Sequence, residues 1–229
     1  NHRYYSGRLV TFPSANTDDK AVQYHYVENS VYARGGGRIN EVEGKAIVNA
    51  VVDRLRDSNF VDTIGIVTFN TEQQTLIEDL FEKKRKEYPE IESHFAEDKI
   101  ESIFVKNIES VQGDERDIIY FSLTYGRDIK GVFSMNFGPI NKAGGQRRLN
   151  VAITRSRKEM HVFSGMRPEE MDLSRTNSEG VKDLKHFMEF ADRGPRALAE
   201  VIDRPLEDYD SPFEEAVACA LSDRGWIVH

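Results

Sequence analysis

The residues of this chain best suited to chemistry lie in Gly144-Gly145-Gln146-Arg147-Arg148-Leu149-Asn150-Val151-Ala152-Ile153-Thr154-Arg155-Ser156-Arg157-Lys158. From Lys142 to Lys158 there are six basic residues and no acid, in a protein whose net charge is −8. Guanidinium groups match phosphate because their planar donor forks fit its oxygens. On a helix, Leu149, Ala152 and Ile153 form one apolar stripe, with Arg148 and Arg155 two turns apart on roughly the opposite face. Burying that stripe would fix both guanidiniums against a negatively charged ligand. The plainer alternative is a solvated basic helix.

A second stretch, Val111-Gln112-Gly113-Asp114-Glu115-Arg116-Asp117-Ile118-Ile119-Tyr120-Phe121, favours the ligand. Together the two resemble motifs V and VI of superfamily 1 helicases, in the branch that includes the nonsense-mediated decay helicase. There a V-x-x-x-Q-G-x-E-x-D segment precedes a strand, and R-L-N-V-A-hydrophobic-T-R-x-R follows about thirty residues later. The resemblance implies roles for residues at matching positions. Arg155 would be the arginine finger, an effect of about 10³ to 10⁵ in rate, with Arg157 supporting it. Gln112 and Gly113 would approach phosphate, and Glu115 would accept from the ribose hydroxyls. Arg148 joins the nucleotide set by the same resemblance; for Arg148 and Arg157 the alternative is pairing with acids such as Asp114 or Asp117. Ile108, Glu109 and Ser110 would face the nucleic-acid strand. The family commonly has a polar residue or histidine where Glu109 stands, and a carboxylate there repels phosphate.

The elements that must position these groups alternate between strand and helix. Strands are expected at Val22–Val27, Thr63–Phe69, Ser102–Val105, Ile118–Leu123 and Met160–Ser164. A helix from Asn40 to about Asp57 buries Ala46, Ile47, Ala50, Val51 and Leu55. Asn40 and Glu43 fit a capping box, while the resemblance makes Glu43 an acid near the nucleotide. Asn70 caps the next helix, with Leu76, Ile77, Leu80 and Phe81 inward and Lys83–Lys86 at its end. That helix resembles motif IV, where an arginine commonly reaches the terminal phosphate; here the position is Gln74, which carries no charge. Residues 87–99 read as a polar loop and 126–145 as a long functional loop. Val181, Leu184, Phe187, Met188 and Ala191 stripe a closing helix. His161 and Asp117 read as structural. The result is a three-layer α/β, RecA-like (P-loop NTPase type) domain with a mainly parallel sheet, in which ligands are expected at the carboxyl ends of the strands.

By this reading residues 1–192 form the second RecA-like motor domain, with 1–20 as an extended lead-in, and 193–210 are a linker. Ser211-Pro212-Phe213-Glu214 starts a helix. The pattern through Trp226 resembles the opening of a Vsr-like PD-(D/E)XK nuclease domain, so 211–229 would be its truncated start.

Hydrophobic content of 39% and charged content of 31% belong to a folded domain, and the length suits one large one. No run of eighteen apolar residues exists, so no membrane helix is expected. There is no signal-peptide pattern, and with Cys219 alone no internal disulfide can form, so a cytoplasmic setting is expected. Six scattered histidines show no zinc spacing, and no metal ligands are expected. The phosphate loop G-x-x-x-x-G-K-[ST] is absent. ATP and Mg²⁺ would therefore require a separate N-terminal RecA-like domain of the same protein, and the chain alone should not hydrolyse ATP. The expected partner is single-stranded nucleic acid, DNA in preference to RNA. The alternatives are a non-catalytic nucleotide- or nucleic-acid-binding α/β module, or the motor part of a helicase-nuclease.

Overall fold

The computed structural model describes residues 21–96 and 101–194. Five strands, β1 (Val22–Tyr26), β2 (Ile64–Thr68), β3 (Phe104–Asn107), β4 (Arg116–Ser122) and β5 (Ser156–Ser164), form one sheet. Their order is β1-β5-β4-β2-β3 and every neighbouring pair is parallel. The helices are α1 (Glu41–Leu55), α2 (Thr71–Glu87), α3 (Gly145–Ile153) and α4 (Glu179–Arg193). This is the expected three-layer α/β RecA-like fold.

Strand alternation builds both cores. In β4, Ile118 and Tyr120 pack with Ile47, Val51 and Ile77 of α1 and α2. The intervening Ile119 and Phe121 face the opposite core, with Leu149 and Ala152 of α3 and Val181 and Leu184 of α4. Each fully buried aliphatic or Phe side chain contributes about 1.5–3 kcal/mol. β2 is buried along its whole length, as expected of a central parallel strand.

Beyond shifts of one or two residues at the other element ends, three stretches differ from the sequence reading. β5 begins four residues early, because the polar start Ser156–Glu159 still pairs with β4 across a register shift between Arg116 and Ile118. The polar stretch after α2 contains a 3₁₀ helix, Pro89–His94, anchored by buried Ile91. The long loop sends Met135, Phe137 and Ile140 into the core, which holds it against the sheet. The lead-in over 1–20, nearly all of the linker and the helix start at Ser211 lie outside the described residues.

Candidate functional site

β4 and β5 begin side by side. Arg116 is in register with Ser156, and its amide donates to the Arg155 carbonyl at 3.1 Å. Gln112–Glu115, just before β4, and Arg155–Arg157, at the start of β5, therefore gather at the amino ends of the strands. The carboxyl-end expectation is corrected here. In a parallel sheet the chain must return before each new strand, and both motifs lie at the end of that return.

α3 stops at Ile153, so Arg155 lies in the turn beyond it and not on its surface. Thr154 Oγ1 donates back to the carbonyls of Asn150 and Val151, both at 3.0 Å. The Arg155 guanidinium donates to the Val151 carbonyl at 2.8 Å and to Thr154 Oγ1 at 3.0 Å. Among the described residues it has no carboxylate partner. Its basic neighbours differ. Arg157 forms a two-pronged pair with Glu101 at 3.1 and 2.6 Å and reaches Glu115 at 3.5 Å. Lys158 pairs with Asp62 and, at 3.5 Å, Asp117. Arg157 thus pairs at the surface with acids other than the two weighed for it, Asp114 and Asp117. Asp114 pairs with Lys106 at 2.6 Å, and Asp117 is structural, as expected, bonded to Thr63. Gln112, Gly113 and Glu115 are exposed, while Val111 anchors them from the core. Gly113 has φ +92, a left-handed conformation natural to glycine.

The other sequence-predicted residues lie at the carboxyl ends. The Ile108 amide donates to Thr68, the last residue of β2, at 2.8 Å. Its side chain is buried in the core, so Ile108 itself does not present the surface expected to meet a nucleic-acid strand. Glu109 and Ser110 follow in a turn closed on Asn107. Arg148 stands 3.6 Å from Glu109 and donates to the Ala143 carbonyl at 2.9 Å. It lies beside Glu109, nearly two helical turns before Arg155 along the chain. Its charge offsets the Glu109 carboxylate. Gln74 is also engaged here, donating to Glu78 at 3.0 Å and accepting from Asn107 at 3.1 Å. A cleft of about 510 Å³ opens beside Glu109, lined by Asn70, Thr71, Tyr125, Asn136 and Lys142. Sequence reading gave Asn70 only a capping role and gave Asn136 none.

Beneath the cleft, Glu43 is fully buried. Its carboxylate accepts from Ser122 Oγ at 2.6 Å and from the Thr124 amide at 2.7 Å. Only half of the capping box forms: the Glu43 amide donates to Asn40 Oδ1, but the Asn40 amide is taken by Gln73. Gln73 also donates to Ser122 and to the Asn40 carbonyl. Burial pushes the Glu43 carboxyl up to about 7, against the lowering effect of the Ser122, Thr124 and Gly165 hydrogen bonds. Glu43 is therefore corrected from a nucleotide contact to an internal clamp. Thr124, which it holds, has φ +66, a strained conformation for a β-branched residue. His161 is buried and stacked on Tyr120, a packed strand residue as expected.

Among the described residues there is no group of three or more acidic, histidine or cysteine side chains able to hold a metal ion, and no helix long and apolar enough to cross a membrane.

The chain is 34% identical over 206 residues to the uncharacterized ATP-dependent helicase MG140 of Mycoplasma genitalium, covering 88% of this chain and 18% of that protein. It is 31% identical over 216 residues to the MG140 homolog of Mycoplasma pneumoniae, covering 93% of this chain and 18% of that one. Helicase sen1 of Schizosaccharomyces pombe is 26% identical over 121 residues, 52% of this chain and 6% of its own length. The chain thus spans less than a fifth of the length of these relatives. The AAA domain profile matches residues 3–167, and the chain belongs to that family.

Proposed function

We propose that this chain is the C-terminal motor domain of an ATP-dependent superfamily 1 DNA/RNA helicase, supplying the arginine finger and part of the nucleic-acid track. The observation that carries this reading is Arg155: a half-buried guanidinium, anchored on Val151 and Thr154 and free of carboxylate partners among the described residues, while Arg157 and Lys158 beside it are paired. Positive charge held in place before the substrate arrives suits a transferring phosphoryl group. The relatives' names support the same reading.

ATP and Mg²⁺ fit this arrangement only across a cleft. The chain offers a cation and the exposed Gly113 loop, and it lacks a phosphate loop. An upstream RecA-like domain would supply the phosphate cradle and the metal-binding acid, and Mg²⁺ would neutralise charge between the phosphates. α3, about 13 Å long, carries Arg148 at its strand-facing start and leads to Arg155 beyond its other end. A single-stranded nucleic acid at the carboxyl ends, DNA in preference to RNA, would thereby bias the position of the finger.

ATP turnover by the full-length protein, with and without single-stranded DNA or RNA, measured beside this chain alone, tests the proposal. Stimulated turnover in the former and none in the latter is expected. Turnover by the isolated chain would contradict a shared site. Absence of turnover from both would favour a non-catalytic binding module, for which Gln74 at the motif IV arginine position is the supporting feature.

A further inference from the structure

The chain turns sharply between the end of β4 at Ser122 and the cleft wall at Tyr125. The Tyr125 amide donates to the Leu123 carbonyl at 2.6 Å, which closes a three-residue turn centred on Thr124 at φ +66. A three-residue turn with positive φ at its centre is the rare, strained form, and a β-branched side chain opposes it further. Leu123-Thr124-Tyr125 contains no glycine or asparagine to favour that backbone.

The start of α1 holds it instead, from both sides. The Glu43 carboxylate accepts the Thr124 amide at 2.7 Å, and the Asn40 side chain donates to the Thr124 carbonyl at 3.3 Å. Both backbone polar groups of the strained residue are therefore gripped by residues three positions apart. The grip is itself supported. Ser122 Oγ donates to the same Glu43 oxygen at 2.6 Å, and Gln73 of α2 donates to Ser122 Oγ at 3.2 Å and to the Asn40 carbonyl at 3.1 Å. The Gln73 amide in turn donates to Asn70, on the cleft wall, at 2.8 Å. Among the described residues no buried side-chain polar atom lacks a partner, and a fully satisfied network of this kind is rigid.

The turn delivers Tyr125. Its ring packs against Tyr32, Phe69 and Phe137 at centroid distances of 5.1, 6.2 and 5.9 Å. Its hydroxyl fills the space that a Cβ on Gly138, also on the cleft wall, would need. We propose that Glu43, with Asn40, is a positioning residue for the strand-binding cleft: it holds Thr124 in the strained turn, and the turn seats Tyr125 on the wall. Released, Thr124 returns to negative φ and carries Tyr125 out of its aromatic seat. The proposal rests on the reading of the cleft as part of the nucleic-acid track.

Glycine takes positive φ without the clamp, and that provides the test. In the full-length protein, ATP turnover is titrated with single-stranded DNA, and urea midpoints are measured alongside. Glu43→Asp keeps the charge but shortens its reach. It should raise the half-saturating strand concentration roughly fivefold or more, the low end of what one strained residue releases, with maximal turnover within about twofold. Adding Thr124→Gly should bring the half-saturating concentration back to within about twofold of Thr124→Gly alone. If Glu43→Asp does not fold, the double variant decides: recovery of fold and strand affinity supports the clamp, and failure to recover them overturns it. No effect of Glu43→Asp overturns it too, as does a loss of equal size with threonine or glycine at 124. Wild type that turns over ATP without responding to single strands removes the track reading, and the positioning role with it, whatever glycine does to stability.

Discussion

The carbonyl of Arg155 accepts the amide of Arg116 at 3.1 Å, so the residue that leads into β5 is pinned to the first residue of β4. The peptide at Arg155 is thereby fixed, while its guanidinium rests on uncharged oxygens. Replacing Arg155 by Ala should lower strand-stimulated ATP turnover of the full-length protein by about 10³-fold or more. Stability should fall by less than about 1 kcal/mol, the usual worth of hydrogen bonds that water replaces. Arg155→Lys keeps the charge and loses the fork, and should recover only part of the rate. Unchanged turnover in Arg155→Ala would remove the finger assignment; a large drop in melting temperature would reassign the residue to structure.

Arg148 and Glu109 oppose each other at 3.6 Å on the cleft rim. The pair is exposed enough that its own contribution to stability is small. Its relevance is to binding: Glu109→Gln removes a charge that repels phosphate and frees Arg148. Single-strand affinity should rise roughly threefold to tenfold, with a salt dependence steeper by about one ion. Arg148→Ala should weaken binding and flatten that dependence. Fluorescence titrations at several salt concentrations decide it, and an unchanged slope in both variants would place the strand elsewhere.

The fold was legible because its signals are local. The apolar run Ile64–Thr68 and the Ile77/Phe81 spacing each identify an element without reference to the rest of the chain. The partners of the site residues were not local. Glu101 meets Arg157 across 56 positions and Gln73 takes the Asn40 amide across 33, so the sequence carries no short-range trace of either. Placement at the amino ends was missed for a geometric reason: the general rule for open α/β sheets concerns loops after strands, whereas Arg155 precedes its strand. Glu43 matched a motif by type and spacing, but which way its carboxylate turns depends on Ser122 and Thr124, about eighty positions away.

Glu43 should leave a signature in the pH dependence of stability. Its folded value is about 7 against an ordinary 4.5 because burial disfavours the charge. The fold therefore binds the proton more tightly than the unfolded chain. The associated stability is fully present below about pH 4.5 and is lost as pH rises through 7, a difference of about 3 kcal/mol as an upper estimate. Glu43→Gln is neutral at every pH and should remove that slope. His25 and His161 are held below their ordinary value, chiefly by burial, and give the opposite trend, losing stability as pH falls below 6.5. Both remain in the variant, so the difference between the two denaturation curves isolates Glu43. A difference that stays constant between pH 4.5 and 7 would show that the carboxylate is not held at a raised value.

Two glycines beside the proposed nucleotide and strand elements should respond differently to the same change. Gly145 opens α3, and a Cβ there would overlap the Ile140 carbonyl, which Gly180 of α4 also approaches closely. Backbone cannot yield as a flexible side chain does, so Gly145→Ala should cost about 2–3 kcal/mol. It should also displace α3, lowering strand affinity through Arg148 and turnover through Arg155 together. Gly113 has open space around its missing Cβ, and only its φ of +92 resists a side chain. Gly113→Ala should cost about 1–2 kcal/mol and impair turnover without changing strand affinity. Urea midpoints and strand titrations of both variants separate the two. If Gly113→Ala proved the more destabilising, or weakened strand binding as Gly145→Ala does, α3 would not be the element that joins the two ends of the sheet.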